Sequence, residues 1–141
     1  MSLDKSDLNP GYRLGRLFSV LEAAQVAALG NVNASIRDRY YSAASATPAS
    51  IFPTLVRNSK NHLKSVRSKK GDRLANWYEK QIGEIIDGLE PALPRNLTLD
   101  QQGRFAIGYY HEREAIFRRK LPDAPPELAD ADQSDSSENE E

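Results

Sequence analysis

Apolar residues recur every three or four positions along most of the chain, which is the spacing of amphipathic α-helices. Short connections marked by Pro and Gly separate these stretches. Runs of Val, Ile and Thr that alternate with polar residues are absent, so the pattern predicts no strand. The sequence therefore predicts an all-α protein, a compact bundle of about five helices.

Helix starts are marked by residues that accept hydrogen bonds from the free amides of a first turn. The first predicted helix ends at Gly30, the second covers about residues 34–44, and the fifth ends at about Lys120. The five predicted starts are Asn9-Pro10, Asn33, Thr47-Pro48, Asp72 and a capping box formed by Thr98 and Gln101.

Each predicted helix has an apolar face that we expect to be buried. On the first two helices this face contains Leu14, Leu17, Phe18, Leu21, Ala24, Ala28, Ile36 and Tyr40. On the last three it contains Phe52, Leu55, Val56, Leu63, Val66, Leu74, Trp77, Tyr78, Ile82, Ile85, Ile86, Leu89, Phe105, Tyr109, Ile116 and Phe117.

Charge divides the chain into a basic body and an acidic C-terminal segment. The 141 residues contain 19 Lys and Arg and 20 Asp and Glu, a net charge of −1. Residues 121–141 hold eight of the acids and no base, so the first 120 residues carry 19 bases against 12 acids. We expect residues 1–9 to be a flexible leader, residues 10–120 to form the helical bundle domain, and residues 121–141 to be a disordered acidic tail. The tail either aids solubility or competes for basic surface.

Seven cations lie within 17 residues around the end of the third predicted helix, against Asp72 alone. The first four fall within an arc of roughly 80° at 100° per residue, and the others extend this line through the next turn. A charged helix face is often plain solvated surface, but such faces usually mix signs and this one lacks acids. The pattern therefore favours contact with a polyanion such as a nucleic-acid backbone. These residues, named here the basic stripe, are Arg57, Lys60, Lys64, Arg67, Lys69, Lys70 and Arg73.

Two further groups of side chains have open interpretations. The Tyr40-Tyr41 and Tyr109-Tyr110 pairs each offer a ring for base stacking, although core packing explains them more simply. A second, weaker basic set is explained equally well by structural pairing and by binding, and consists of Arg13, Arg16, Arg37 and Arg39.

Catalytic chemistry is missing from the sequence. The chain has no cysteine, and His62 and His111 are far apart without metal-ligand spacing around either. No Gly-rich phosphate loop or nucleophile motif is present. We therefore expect no enzyme activity, no cofactor, no metal and no small-molecule substrate. The N-terminus lacks the apolar stretch of a signal peptide and no run is long enough to span a bilayer, so we expect a cytoplasmic protein without a membrane partner.

Four separated sequence blocks resemble one known family. In the same order, they are similar to the C-terminal helical region of the large subunit of the type I-C CRISPR interference complex (Cascade), and the resemblance covers about residues 11–120. Glu112 departs from it, since that family often has Gln there. The four blocks are residues 11–18 (GYRLGRLF), 31–41 (NVNASIRDRYY), 42–53 (SAASATPASIFP) and 102–111 (QGRFAIGYYH).

The resemblance implies a non-catalytic component of an RNA-guided complex. In type I-C systems this C-terminal region is also made as a separate small subunit by internal translation, and a chain with its own Met1 and a short polar leader looks like that subunit. A fragment of the large subunit would look the same. The resemblance implies that the protein lies along the inner belly of Cascade. There it would contact the large subunit, the crRNA-bearing backbone subunits and other copies of itself.

The implied ligand is unwound target DNA, which such subunits help to hold in the R-loop. Base pairing with the guide reads the sequence, so the protein contributes sequence-independent backbone contacts. Two alternatives remain open. One is an interaction scaffold whose basic face docks crRNA or neighbouring subunits without contacting DNA, and the other is a stand-alone helical DNA-binding protein.

Overall fold

Five α-helices build the protein in a computed structural model that describes residues 3–30, 35–89 and 93–123, with side chains up to Arg119. No strand occurs within these ranges, and the all-α prediction is confirmed. In the same ranges, no helix combines the length and the apolar character needed to cross a membrane. The helices are α1 (Pro10–Leu29), α2 (Ile36–Ala46), α3 (Pro48–Lys70), α4 (Asp72–Asp87) and α5 (Leu99–Asp123).

Two predicted caps are confirmed by hydrogen bonds at the helix starts. The Asn9 side chain accepts from the backbone amides of Gly11 and Tyr12 at the start of α1. At the start of α5, Thr98 Oγ1 accepts from the Gln101 amide over 3.1 Å, and Gln101 Oε1 accepts from the Thr98 amide over 3.0 Å. This reciprocal pair satisfies two amides that lack partners within the helix.

Two other predicted caps are wrong. Ser35 caps α2 in a capping box with Asp38, whereas the predicted cap Asn33 lies outside the described residues. The residue before α4 is Gly71, and Asp72 is the first residue inside the helix. Gly71 has a φ of 100°, which a side-chain-bearing residue rarely adopts, so the turn is set by glycine rather than by a carboxylate cap.

Helix α1 is the centre of the bundle, with α2, α3, α4 and α5 packed around it. Its side chains are buried along most of its length because apolar residues occupy nearly every direction around its axis. Phe18 is the hub of an aromatic cluster whose ring centroids lie 5.6–6.3 Å from its own. The rings around Phe18 are those of Tyr41, Phe52, Phe105 and Tyr109.

Glycines allow α1 and α5 to lie side by side with their backbones in contact. A Cβ atom at Gly15 would overlap the carbonyl of Phe105, and one at Gly108 would overlap the carbonyl of Tyr12. The carbonyl that an added Cβ would meet moves from Gln101 at Gly11 to Phe105 at Gly15, so α1 and α5 run in the same direction. The Gly-Tyr-Arg-Leu-Gly segment at the start of α1 therefore has a packing function.

Two residues predicted to be buried are exposed. The side chain of Ile86 is 37% exposed and that of Phe117 is 42% exposed. Periodicity identifies the apolar face of a helix, but it does not show how far the neighbouring helices extend over that face. Each residue directly follows a buried one, since Ile85 is 1% and Ile116 is 5% exposed, so both lie at the edge of the buried face of their helix.

The two ends of the predicted domain differ from the sequence-based boundaries in detail. Helix α5 continues to Asp123, inside the segment predicted as the acidic tail, and residues 124–141 lie outside the described residues. Residues 3–9, predicted as a leader, contact the bundle. The Asp4 amide donates to the Tyr12 hydroxyl over 2.9 Å, and the carboxylate of Asp7 binds Arg104 of α5.

Candidate nucleic-acid interface

The solvent-facing side of α3 combines cations with neutral polar groups. No Asp or Glu occurs from residue 39 to residue 71, a stretch that includes all of α3. The opposite side of the helix is anchored in the core by Phe52, Leu55 and Val66. The exposed residues of the middle and end of α3 are Thr54, Arg57, Asn58, Lys60, Asn61, Lys64, Ser68 and Lys69.

Of the four stripe residues that share one arc of α3, three are exposed and have no carboxylate partner among the described residues. Arg57, Lys60 and Lys64 make no ion pair with any residue that the structure describes. The nearest polar contact of Arg57 is at 3.5 Å, from Nη2 to the hydroxyl of Thr54. At 1.5 Å per residue, the three cations cover roughly 10 Å along the helix axis, in steps of about one turn. They are free to bind successive anionic groups along a line.

Arg67 belongs to the same arc, but it is already paired. Its guanidinium contacts Asp72 over 3.1 Å and Glu79 over 3.7 Å. The α3 face itself carries no acid, as its sequence shows, but α4 packs along α3 and brings Glu79 to this position. An exposed pair of this kind contributes about 0–1 kcal/mol to stability, yet it offsets the charge of Arg67.

Lys69 does not extend the line of cations. At 100° per residue its side chain lies nearly opposite the arc that contains Arg57 and Lys64. Lys69 Nζ donates to the carbonyl of Ala28 over 3.0 Å, at the C-terminal end of α1. A cation there satisfies a carbonyl without an intrahelical partner and interacts favourably with the helix dipole. Of the last two stripe residues, Lys70 is half-buried and Arg73 is exposed in the first turn of α4.

The second basic set divides into structural and exposed residues. Arg16 is buried and pairs with Glu112 over 3.0 Å, so its role is structural. Arg37 donates to the hydroxyl of Tyr110 over 2.6 Å and lies over the Tyr110 ring. Arg39 is exposed on α2. Sequence reasoning missed the Arg16–Glu112 pair because its members are 96 residues apart.

The tyrosine pairs are divided between core and surface. Tyr109 is fully buried, and Tyr41 packs edge-on against it with ring centroids 5.4 Å apart. Tyr110 is 46% exposed and Tyr40 is half-buried. One member of each pair therefore belongs to the aromatic core, and the other has a ring face near solvent.

A pocket of about 280 Å³, named here the α2/α3 pocket, opens beside the exposed face of α3. Tyr40 lines it from α2, and Asn58 and His62 line it from α3. Burial lowers the pKa of the His62 imidazole, which favours its neutral form. No motif in the sequence points to this pocket, because its lining residues come from three helices.

A second cavity of about 680 Å³ lies in a groove between α1 and α5. Its wall includes the partly exposed apolar side chains of Val26 and Phe117, together with the ring of Tyr110. Clustered exposed apolar residues of this kind mark surfaces that bind other macromolecules.

Comparison with protein families shows which family this chain resembles. The model of a family described as CRISPR-associated protein (Cas_Csd1) matches residues 1–117, a range that includes α1 to α4 and most of α5. A search among curated proteins finds no match.

Proposed function

Because this chain belongs to the CRISPR-associated Csd1 family, we propose that it is a non-catalytic small subunit of a type I-C interference complex (Cascade). In this role it lines the inner belly of the complex and stabilises unwound target DNA. The observation that carries the proposal is the exposed face of α3, where Arg57, Lys60 and Lys64 have no carboxylate partner among the described residues.

The chemistry of this face suits a backbone contact. In RNA-guided complexes base pairing reads the sequence, and the protein steadies the strands through contacts that are independent of sequence. Lys and Arg supply such contacts by neutralising phosphates and releasing counterions. Neutral donors such as Asn61 and Ser68, exposed beside the cations, add hydrogen bonds to phosphate oxygens.

Other faces of the bundle are proposed to bind protein. The groove between α1 and α5 exposes Val26, Tyr110 and Phe117, which suits packing against the large subunit, the crRNA-bearing backbone subunits or another copy of the chain. The proposed role requires no cofactor and no small-molecule substrate, and it places the protein in the cytoplasm with its DNA.

A charge-reversal experiment tests the DNA contact. The triple variant R57E/K60E/K64E changes only exposed side chains, so we expect its helical circular dichroism to match that of the unmodified protein. Its affinity for single-stranded DNA should fall by about tenfold or more at low salt. The slope of log K against log[salt] should flatten by about two units, since each of the three lost phosphate contacts removes about 0.7 on a single strand.

The matched control is K80E/R95E/R118E, which makes the same change in net charge at exposed positions outside α3. We expect this control to keep the salt slope of the unmodified protein. Equal losses of affinity in both triple variants would show that only net charge matters, and an unchanged affinity in R57E/K60E/K64E would contradict the proposal.

One observation favours an alternative in which the α3 face docks protein or crRNA without touching DNA. Arg67 on the same arc already pairs with two carboxylates, Asp72 and Glu79, so this edge can engage acidic side chains. Under this alternative, R57E/K60E/K64E would fail to assemble with the other subunits and would bind DNA no worse than the control variant does.

A further inference from the structure

The α2/α3 pocket has the construction of a site for a flat heterocycle. Its floor is apolar and comes from the buried side chains of Leu21, Ile36 and Leu55. Tyr40 forms an aromatic wall on the α2 side. Aromatic rings beside an apolar floor bind planar ligands by stacking, and they do so without regard to the identity of a nucleobase.

The rim of the pocket offers both hydrogen-bond donors and acceptors. Asn58 and Asn61 contribute side-chain amides, and the neutral imidazole of His62 has one donor and one acceptor nitrogen. Gln25 uses its Oε1 to accept from the Ile36 amide over 3.0 Å, which leaves its NH₂ group for a ligand. Among the described residues no carboxylate lines the pocket, so nothing there repels an anionic chain.

The position of the pocket connects it with the basic stripe. Asn58 and Asn61 lie on α3 between the pocket and the line of cations, within roughly 40–100° of Arg57 around the helix axis. Arg39, exposed on α2, lines the pocket from another helix. A DNA strand whose phosphates follow Arg57, Lys60 and Lys64 therefore runs past the mouth of the pocket. Cations then lie beside the strand on both α3 and α2.

We propose that the α2/α3 pocket accepts one unpaired nucleobase from the DNA strand held along α3. This inference rests on the proposed function and adds to it a preference for DNA with unpaired bases. A base within a duplex is stacked and paired, so only an unwound strand can place one in the pocket. The subunit would thereby prefer single-stranded DNA over duplex DNA of equal charge.

The test compares two strands with the same phosphates. The full chain is titrated with oligothymidine and with an abasic sugar-phosphate strand of equal length. Because stacking on one aromatic side chain is worth about fivefold in affinity or more, oligothymidine should bind at least about fivefold more tightly. Tyr40→Leu should reduce this ratio to near one, and Tyr40→Phe should preserve it because the ring remains.

His62→Leu gives a second variant with similar volume and no hydrogen-bonding groups, and it should also lower the ratio. Duplex affinity and helical circular dichroism should stay unchanged in all three variants. A ratio near one in the unmodified protein, or a ratio that persists in both Tyr40→Leu and His62→Leu, would overturn the pocket assignment. The proposed function would survive that result if R57E/K60E/K64E still weakens binding to both strands, and it would fail together with the pocket if that variant binds normally.

Discussion

Arg16 in α1 donates from Nε to Oε1 of Glu112 in α5 over 3.0 Å, and both side chains are almost fully buried. The pair joins the two helices that lie in closest backbone contact. It also explains why this chain has Glu at position 112, since a buried guanidinium requires an anionic partner.

Glu112→Ala should therefore destabilise the fold strongly. It leaves the Arg16 charge buried without a partner, which costs about 3–5 kcal/mol in the free energy of unfolding. Urea denaturation followed by circular dichroism measures this. The double variant Arg16→Met/Glu112→Leu should recover most of the loss, because it replaces both charges with apolar groups. A single variant within about 0.5 kcal/mol of the unmodified protein would contradict the assigned role.

Gly15→Ala should destabilise the bundle because the added methyl group meets the backbone of α5. The overlapping atom is the carbonyl oxygen of Phe105, which cannot move without shifting the helix. We expect a loss of about 1–3 kcal/mol. Gly83→Ala is the matched control, since a Cβ there has no neighbour within 4 Å, and it should stabilise α4 by about 0.5–1 kcal/mol. Equal effects of the two substitutions in thermal denaturation would argue against close packing of α1 and α5.

The helices were predictable from the sequence because their signals are local. The Asn9 cap and the Thr98–Gln101 capping box were identified correctly, since each involves residues within one helical turn. At the start of α4 the local signal misled, because Gly71 precedes Asp72 and its positive φ sets the turn.

The candidate interface was predictable only in part because partners came from distant parts of the chain. The exposed cations Arg57, Lys60 and Lys64 follow from periodicity. The pairing of Arg67 with Glu79 and the contact of Lys69 with Ala28 depend on how α4 and α1 pack beside α3, which no spacing in the sequence shows.

Lys69 and Lys60 should respond in opposite ways to replacement by Met. Lys69→Met removes the hydrogen bond to the Ala28 carbonyl, so it should lower the free energy of unfolding by about 1 kcal/mol and leave the salt dependence of DNA binding unchanged. Lys60→Met should leave stability within about 0.5 kcal/mol and reduce the salt slope by close to one unit. Paired urea and binding titrations compare the two variants. If the two variants gave the same stability and the same salt slope, the assignment of Lys69 to the fold and of Lys60 to DNA binding would be contradicted.

Tyr78 should make stability depend on pH in the alkaline range. Its hydroxyl is buried without a hydrogen-bond partner among the described residues, and burial raises its pKa to about 12. In the unfolded chain the Tyr78 hydroxyl ionises near pH 10, so between about pH 10 and 12 the unfolded state binds fewer protons than the folded state. The free energy of unfolding therefore falls as the pH rises through that range.

Tyr78→Phe should remove the part of this fall that the Tyr78 hydroxyl causes, about 2–3 kcal/mol in the free energy of unfolding by pH 12. At pH 7 the stability of the variant should be unchanged or slightly higher. Urea denaturation at a series of pH values measures the difference between the two proteins. Parallel curves from pH 8 to pH 12 would show that the Tyr78 hydroxyl reaches solvent in the folded state.

The proposed function requires that the exposed face of α3 contacts DNA inside an assembled complex. Photo-crosslinking from a probe at position 64 tests it most directly, with a probe at the exposed position 80 on α4 as the control. With target DNA bound, we expect that the probe at position 64 captures DNA and that the probe at position 80 does not. Capture of only crRNA or protein from position 64 would contradict it.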